Sequence, residues 1–514
     1  MNQQIRRLGI GLLVAYFVLF VQLNRLHVFD ATEYNEHPSN SRPLVADFGA
    51  PRGEIRAADG TVLARSVDVE DGPFARQREY PLGELFAEVT GHFSFDSGAT
   101  GIEAQFDSEL RGEQNELDDT IRELIGGDSS TADVNLTLSV DVQEAAREAL
   151  GDRNGSVVVL NAQSGAVEAL WSWPSYDPNL LSSLDTSRAR RERQALLSAP
   201  GNPLLPKTIR EIYFPGSTFK IVTAAAALEA AVASLDTPVF PTVNSYTPPL
   251  TNNELSNFGG GQCGGPMRDL IRRSCNAGFA QLAVELLGET ALIDIAERFG
   301  FNSVPPLELP GVEASVMPTD FGDELGRDVT VSPELRRQLG DGIMPVPLTD
   351  DVPSLAQSAI GQFEVKATPL QMALVAATIA NDGVVPTPHL IDTVIDSEGA
   401  VLAEGDLTPW MRAVRPDTAI DVREAMLEVV ESGTGQSVAV DGLIVGAKTG
   451  TAQLGADVES THAWVIAFAG TNPDRPSIAV AVLVEADEAV GEQTGGRVAG
   501  PVAQAVIAAW AASR

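Results

Sequence analysis

The distribution of apolar residues divides this chain into three parts. Residues 1–28 contain one uncharged apolar run, which predicts a short cytoplasmic stub followed by a membrane anchor. Residues 29–150 alternate polar loops with short strand-like pieces and predict a separate, smaller domain; within them, the acidic stretch from Glu113 to Asp133 is typical of a solvated helix and loop. Residues 151–514 carry longer and more regular apolar segments, which predict the larger domain.

The apolar run near the N-terminus extends from Leu8 to Leu23 and follows Arg6-Arg7. As a helix it would span about 24 Å, which Leu26, Val28 and snorkelling arginines bring close to the ~30 Å core of a bilayer. The alternative is a cleaved signal peptide, but the run is long for a signal core and no clear Ala-x-Ala site follows it. More arginines precede the run than follow it, which favours a cytoplasmic N-terminus and an extracytoplasmic remainder.

The larger domain is predicted to be an antiparallel sheet packed with helices. Strands are predicted at Ser156–Leu160, Ala166–Trp173, Leu443–Ala447, Ala463–Gly470 and Ile478–Glu485. Helices are predicted at Asp141–Leu150 (with Asp141 as N-cap), Phe219–Leu228, Met267–Arg273, Phe279–Leu287, Pro369–Asn381, Thr418–Ser432 and Val498–Ala511. Because strands lie at both ends of this part and helices between them, we expect an α+β fold.

The formal net charge is −35, with 70 acidic and 35 basic residues. A chain of this charge is poorly suited to neutralise a phosphate backbone, so we expect no nucleic-acid partner. The charge is also compatible with a saline habitat or with a general acidic bias of the genome. The five histidines show no metal-ligand spacing, and no metal site is predicted.

Only four of the basic residues are lysines, namely Lys207, Lys220, Lys366 and Lys448. A desolvated lysine can lose its proton, whereas arginine cannot. Two of these lysines belong to short motifs that occur in a fixed order along the chain. The motifs are Ser217-Thr218-Phe219-Lys220, Ser274-Cys275-Asn276 and Lys448-Thr449-Gly450, the set typical of enzymes that form an acyl-serine.

Ser217 is predicted to begin an apolar helix, one turn before Lys220. Residues three apart share a helix face, so the hydroxyl and the amine would come together. A serine needs such a base, and a lysine within an apolar run has a lowered pKa. The N–H of Ser217 could supply half of an oxyanion hole. A lone Ser-x-x-Lys is usually a surface turn, but the apolar flanks of this motif argue against that.

The segment Lys448 to Ala452 is predicted to follow the strand Leu443–Ala447. The positive charge of Lys448 would disfavour protonation of Lys220. Lys448 and the two threonines of the segment could also bind a substrate carboxylate. Ser274 and Asn276 could relay a proton and hold an amide. Taken alone, Lys448-Thr449-Gly450 would be a surface turn, and Ser274 and Asn276 would be helix caps. The order of the three motifs along the chain favours catalysis instead.

The two cysteines are Cys263 and Cys275. An extracytoplasmic location permits their oxidation. Because Cys275 is the middle residue of Ser274-Cys275-Asn276, a disulfide would fix the loop that leads into this motif and would stabilise by roughly 2–3 kcal/mol. The alternative is a pair of reduced, buried thiols.

Together with further motifs, these segments resemble the class B penicillin-binding proteins, and among them the short actinobacterial PbpA type. The resemblance covers nearly the whole chain and rests on Arg52-Gly53-Glu54-Ile55, Gly101-Ile102-Glu103, Ser175–Asn179, Tyr213–Lys220, Gly361-Gln362, Thr368–Ala373 and Lys448–Ala452. It implies the penicillin-binding transpeptidase fold, with an antiparallel sheet sandwiched by helices. It also implies that residues 29–150 form a non-catalytic α+β pedestal or dimerisation domain.

The resemblance implies a D,D-transpeptidase of peptidoglycan. Ser217 would attack the penultimate D-alanine carbonyl of a stem peptide, with Lys220 as general base. Ser274 and Asn276 would assist proton transfer and hold the acyl amide. An amine of a neighbouring stem peptide would then release the acyl group as a cross-link, and beta-lactams would acylate the same serine.

Within the third motif, the resemblance implies that Lys448 and Thr449 bind the terminal carboxylate. Thr451 would supply the second oxyanion-hole N–H, and Gly450 allows the substrate backbone to approach closely. No cofactor is implied, and the glycan polymerase would be a separate membrane partner of the SEDS type. A D,D-carboxypeptidase or endopeptidase, a beta-lactamase, and a non-catalytic beta-lactam sensor or divisome scaffold are the alternatives.

Overall fold

The computed structural model describes residues 2–25, 48–70, 74–112, 131–453 and 460–514. The predicted solvated helix and loop of Glu113 to Asp133 lie almost entirely outside these residues, as do Leu26 and Val28. The first helix, Asn2–Asn24, contains a stretch from Arg6 to Asn24 that is long and apolar enough to cross a membrane and packs against no other part of the described chain. The chain therefore carries one candidate membrane span in its described residues.

Five antiparallel strands form a central sheet. In spatial order they are Ile444–Gln453, Thr461–Gly470, Ile478–Val484, Gly155–Asn161 and Val167–Trp173. All seven residues of Ile478–Val484 are buried, so both faces of the sheet are covered at its centre. This is why Ile478–Val484 is a continuous apolar run in the sequence and lacks polar alternation.

Helices cover the central sheet. Pro369–Ala380 is buried along its whole length and packs on the three inner strands, Pro416–Ser432 packs on the edge strand Ile444–Gln453, and Gly500–Ala512 packs with Val140–Leu150. The other helices are Ala87–Thr90, Gly101–Gln105, Asp107–Arg111, Pro178–Leu181, Thr186–Ser198, Lys207–Arg210, Lys220–Glu229, Met267–Arg273, Asn276–Leu282, Glu289–Arg298, Pro333–Leu339 and Val352–Ser358. The fold is thus the expected α+β sandwich.

A second sheet has six strands. Their order is Val401–Glu404, Ile391–Asp396, Ala132–Leu136, Ile55–Arg56, Val62–Asp68 and Arg76–Glu79. The first two strands come from the larger predicted domain, and the second of them pairs with Ala132–Leu136 of the smaller one. The division of the chain at residue 150 stays a prediction, since the two parts share this sheet.

Short two-stranded sheets complete the fold. They pair Phe93–Ser94 with Gly98–Ala99, Phe240–Val243 with Cys263–Gly265, Ser245–Tyr246 with Leu255–Ser256, Glu324–Asp328 with Pro347–Thr349, and Val384–Val385 with Met411–Arg412.

Most predicted boundaries differ from the structure by one or two residues, and three elements differ in their cap, their extent or their helix type. The helix predicted from Asp141 begins at Val140, and its N-cap is Ser139, whose side chain accepts a hydrogen bond from the N–H of Val142. The strand predicted to end at Ala447 continues to Gln453, because pairing with Thr461–Gly470 holds its polar half in the sheet.

The third difference concerns the helix predicted at Phe279–Leu287. It begins at Asn276 as an α-helix and ends as a π-helix over Ala283–Leu287.

A buried ion-pair network joins the elements of the smaller N-terminal part. The carboxylate of Glu103 accepts hydrogen bonds at 2.6 Å from Nε of Arg52 and at 2.6 Å from Nε of Arg78, and the hydroxyl of Tyr80 donates to it at 3.1 Å. Burial opposes ionisation of Glu103, but the charges of Arg78 and Arg52 prevail and lower its pKa. The carboxylate therefore stays ionised in the interior.

We expect Glu103→Ala to reduce the free energy of unfolding by about 3–5 kcal/mol, because it leaves the buried guanidinium of Arg78 without its carboxylate and that of Arg52 with only the partly exposed Asp107. The matched control is Glu79→Ala, which removes a half-exposed pair with Arg65 and should cost about 1 kcal/mol or less. Urea unfolding of the detergent-solubilised chain, followed by circular dichroism, measures both. Equal losses for the two variants would contradict this account.

Candidate active site

Ser217 lies in a tight turn in front of a buried helix. The turn is a 3-10 helix over Gly216–Thr218, and the α-helix Lys220–Glu229 follows it. Gly216 has a φ of 53°, and a Cβ there would lie 3.0 Å from the carbonyl oxygen of Thr451. Glycine is therefore required at this position, and its close approach sets Ser217 against the strand that carries Thr451.

Lys220 is fully buried, and its amine is held by the second motif. Its Nζ donates to the carbonyl oxygen of Ser274 at 2.8 Å and to Oδ1 of Asn276 at 2.6 Å, and lies 3.4 Å from Oγ of Ser274. The sequence predicts direct contact between the Ser217 hydroxyl and this amine, but no hydrogen bond joins them in the described part of the chain. The amine instead reaches the second motif, since its hydrogen-bond acceptors are there.

Lys448 is also fully buried, in the middle of an edge strand of the central sheet. Its Nζ donates to Oγ of Ser274 at 2.9 Å and to the carbonyl oxygen of Thr449 at 2.9 Å. The third motif thus lies inside the strand Ile444–Gln453. The sequence alone predicts, in contrast, that the motif follows a strand ending at Ala447. The Ser274 hydroxyl lies between the amines of Lys448 and Lys220.

Burial lowers the pKa values of both lysines, and for Lys220 a neighbouring positive charge adds to the effect. Burial lowers the pKa of Lys448 to about 7. Burial also lowers the pKa of Lys220 well below its usual 10.5, and the charge of Lys448 lowers it further. Each amine therefore becomes neutral far more readily than a surface lysine.

The second motif is held in place by backbone geometry and by a disulfide. Ser274 ends the helix Met267–Arg273 in the left-handed conformation, with a φ of 59°. Cys275 is joined to Cys263, with Cα atoms 5.8 Å apart, and Cys263 belongs to a strand of the neighbouring hairpin. Asn276 begins the next helix and donates from Nδ2 to the carbonyl oxygen of Ser256 at 2.9 Å.

A cleft of about 1000 Å³ opens over these groups. It is lined by Ser217, Ser274, Asn276, Thr449 and Thr451, while the two lysines lie beneath its surface. The structure therefore brings residues from all three motifs to one cavity.

The backbone of Gly450 is also confined at this cavity. A Cβ at Gly450 would lie 2.9 Å from the carbonyl oxygen of Pro215, so this position must be glycine for the strand to pack against the turn before Ser217.

Two further features of the cleft were not predicted from the sequence. The hydroxyl of Thr434 lies 2.7 Å from that of Thr449, and the segment Gly495–Ala499 forms a π-helix beside the same strand. Neither belongs to a motif with Ser217, so only the fold brings them to the site. In the described residues, no group of three or more His, Cys, Asp or Glu side chains could hold a metal ion.

Comparison with known proteins places the chain in a family. Residues 155–508 match the penicillin-binding protein transpeptidase domain, and residues 52–134 match the penicillin-binding protein A dimerisation domain. The chain therefore belongs to the penicillin-binding protein transpeptidases, in agreement with the resemblance found in its motifs. This family match spans the segments that carry all three motifs.

The sequence similarity to two relatives extends along nearly the full length of both chains. The chain is 35% identical to the peptidoglycan D,D-transpeptidase PbpA of Mycolicibacterium smegmatis over 99% of both chains, and 34% identical to its namesake in Mycobacterium tuberculosis, again over 99% of both. Its structure is similar to penicillin-binding protein A from M. tuberculosis in a ceftriaxone acyl-enzyme complex, with a TM-score of 0.77, 34% identity and coverage of 90% of this chain and 99% of that one. The penicillin G acyl-enzyme complex gives a TM-score of 0.75, with coverage of 90% and 100%.

The lowered pKa values can be measured directly, because the chain has only four lysines. In NMR of the detergent-solubilised chain with 13C-labelled lysine, we expect the signal of Lys448 to titrate near pH 7 and that of Lys220 well below 10.5. Lys448→Met removes a positive charge, so the midpoint of Lys220 should move to higher pH. Lys366→Met serves as control and should leave that midpoint unchanged; two midpoints near 10.5 would contradict the assignment.

Proposed function

We propose that this chain is a peptidoglycan D,D-transpeptidase that works through an acyl-serine at Ser217. The observation that carries the proposal is the convergence of three motifs on one cleft, with two readily deprotonated lysines beneath it. Two relatives at 34–35% identity bear the name peptidoglycan D,D-transpeptidase, and a similar structure contains a beta-lactam acyl-enzyme.

In the first half-reaction, Oγ of Ser217 attacks the carbonyl carbon between the two terminal D-alanines of a stem peptide. The C–O bond forms, the C–N bond to the last D-alanine breaks, and the serine proton ends on the departing amine. Neutral Lys220 is the proposed base. Ser274 contacts both lysine amines, so its hydroxyl can pass the proton between the base and the leaving group.

The tetrahedral intermediate carries a negative charge on oxygen. The N–H of Ser217 lies in the first turn of a helix, where N–H groups lack intrahelical partners, and it would donate to this oxygen. The N–H of Thr451, on the strand beside Gly216, would donate from the other side. Asn276 would hold the acyl amide, and Thr449 would donate its hydroxyl to the terminal carboxylate.

In the second half-reaction, an amine of a neighbouring stem peptide attacks the acyl-enzyme, which re-forms the serine and leaves a cross-link. The competing D,D-carboxypeptidase reaction would use water as the acceptor at the same site. The full-length similarity to PbpA transpeptidases favours the amine acceptor. It also argues against the sensor and scaffold alternatives.

The helix Asn2–Asn24 would anchor the enzyme with its N-terminus in the cytoplasm, because the two arginines before the apolar run favour that side. The catalytic part would then face the cell wall. Glycan strands would come from a membrane polymerase of the SEDS type. The residue roles, the topology and this partner are parts of the proposal.

Labelling with a fluorescent penicillin tests the acyl-serine. We expect stable covalent label on the wild-type chain, none on Ser217→Ala, and at least a ~100-fold lower labelling rate for Lys220→Met, because the base is lost. The control variants are Ser198→Ala and Lys366→Met, which lie outside the cleft and should label as wild type. Label on Ser217→Ala would reject this serine as the nucleophile.

Acceptor competition separates transpeptidase from carboxypeptidase. With a synthetic stem peptide ending in D-Ala-D-Ala and an excess of a D-amino acid, we expect the amino acid to replace the terminal D-alanine in the product, as mass spectrometry would detect. Hydrolysed tetrapeptide as the sole product, at every acceptor concentration, would favour the carboxypeptidase.

A further inference from the structure

The substrate of the proposed reaction ends in a carboxylate, and the structure limits which cation can bind it. A strong carboxylate contact needs a donor nitrogen within about 2.7–2.9 Å. Lys448 is fully buried, does not line the cleft, and directs its amine to Ser274 and Thr449. A ligand in the cleft therefore cannot touch this amine while the strand keeps its place.

Arginine side chains reach the cleft where the lysines do not. In the described part of the chain, Arg273 and Arg497 line it. The guanidinium of Arg273 already donates to the carbonyl oxygen of Gln262 at 2.7 Å. Arg497 is exposed, and among the described residues its guanidinium has neither a hydrogen bond nor an ion pair, although Glu254 and Glu492 line the same cleft.

The backbone before Arg497 is fixed against the third motif. A Cβ at Gly495 would lie 2.6 Å from the carbonyl oxygen of Gly450, and a Cβ at Gly496 would lie 2.5 Å from that of Thr434. The Cβ at Gly496 would also lie 3.7 Å from Cγ2 of Thr449. Both positions must be glycine for the segment to pack so closely, and the packing holds the next residue beside the two threonines.

We propose that Arg497 is the cation that binds the terminal carboxylate of the substrate, together with the hydroxyl of Thr449 and its neighbour Thr434. Arginine suits this role because its guanidinium stays charged at every physiological pH and its paired N–H groups match a carboxylate. Lys448 then serves the proton transfer beneath the cleft and is no direct ligand. The proposal rests on the proposed transpeptidase function and specifies which residue gives that site its preference for an anionic chain end.

The test compares acylation by penicillin G with acylation by its methyl ester, in which a neutral ester replaces the carboxylate. Second-order acylation rates are measured on the detergent-solubilised chain for wild type, Arg497→Gln, Arg497→Lys, Arg273→Gln and Arg475→Gln. Arg475 is exposed in the turn between two strands of the central sheet, away from the cleft, so its variant removes the same charge elsewhere.

We expect Arg497→Gln to lower the rate with penicillin G by about 10- to 100-fold and to leave the ester rate nearly unchanged. Arg497→Lys should recover part of the loss, and Arg475→Gln should match wild type. The ester serves as the internal control for folding, because a misfolded site would lose both reactions.

Three results would overturn the proposal. One is an unchanged preference for the carboxylate in Arg497→Gln; another is an equal loss with both compounds. The third is loss of the preference in Arg273→Gln while Arg497→Gln keeps it. Failure of the wild-type chain to react with either compound is a separate result, which rejects the proposed function and this assignment with it.

Discussion

The active site depends on one buried arrangement, in which two lysine amines share the hydroxyl of Ser274. Lys220 and Lys448 are both removed from water, and the charge of one opposes protonation of the other. Ionising a buried group is unfavourable unless a counter-charge is present, and both amines point at oxygens that carry no full charge. Neutral amine is thereby favoured at a pH where a surface lysine is protonated. In the proposed mechanism, this neutral amine is the base, and no histidine is needed.

This arrangement requires three distant segments to meet within hydrogen-bond distance. Glycines allow the first and third segments to pack closely, because Gly216 packs against the backbone of Thr451, and Gly450 packs against that of Pro215. The disulfide between Cys263 and Cys275 ties the remaining segment to its neighbouring hairpin. Residues on rigid elements can hold a proton path to within a fraction of an ångström, which loops alone could not.

Much of this fold could be predicted from the sequence, and the exceptions have physical causes. The helix Met267–Arg273 was predicted to the residue, since its apolar positions and flanking breakers are local. The strand Ile444–Gln453 was predicted only in its first half, because its polar second half is held by pairing with a distant strand. Likewise the motifs indicated which residues share a site. Thr434 and Arg497 belong to none of the three motifs and reach the cleft only through tertiary packing.

The chain is strongly acidic, yet its proposed substrate is an anion. At physiological ionic strength, charges farther apart than about 8 Å are largely screened from each other. The distant part of the net charge of −35 therefore has little influence on a ligand already inside the cleft, where the nearby charges and donors decide. In the proposed mechanism both buried lysines serve proton transfer, with Lys220 as the neutral base, and their burial keeps both amines out of direct contact with the carboxylate. Arg497 at the cleft surface would supply the positive charge that the buried lysines cannot, so that proton transfer and anion binding fall to different side chains.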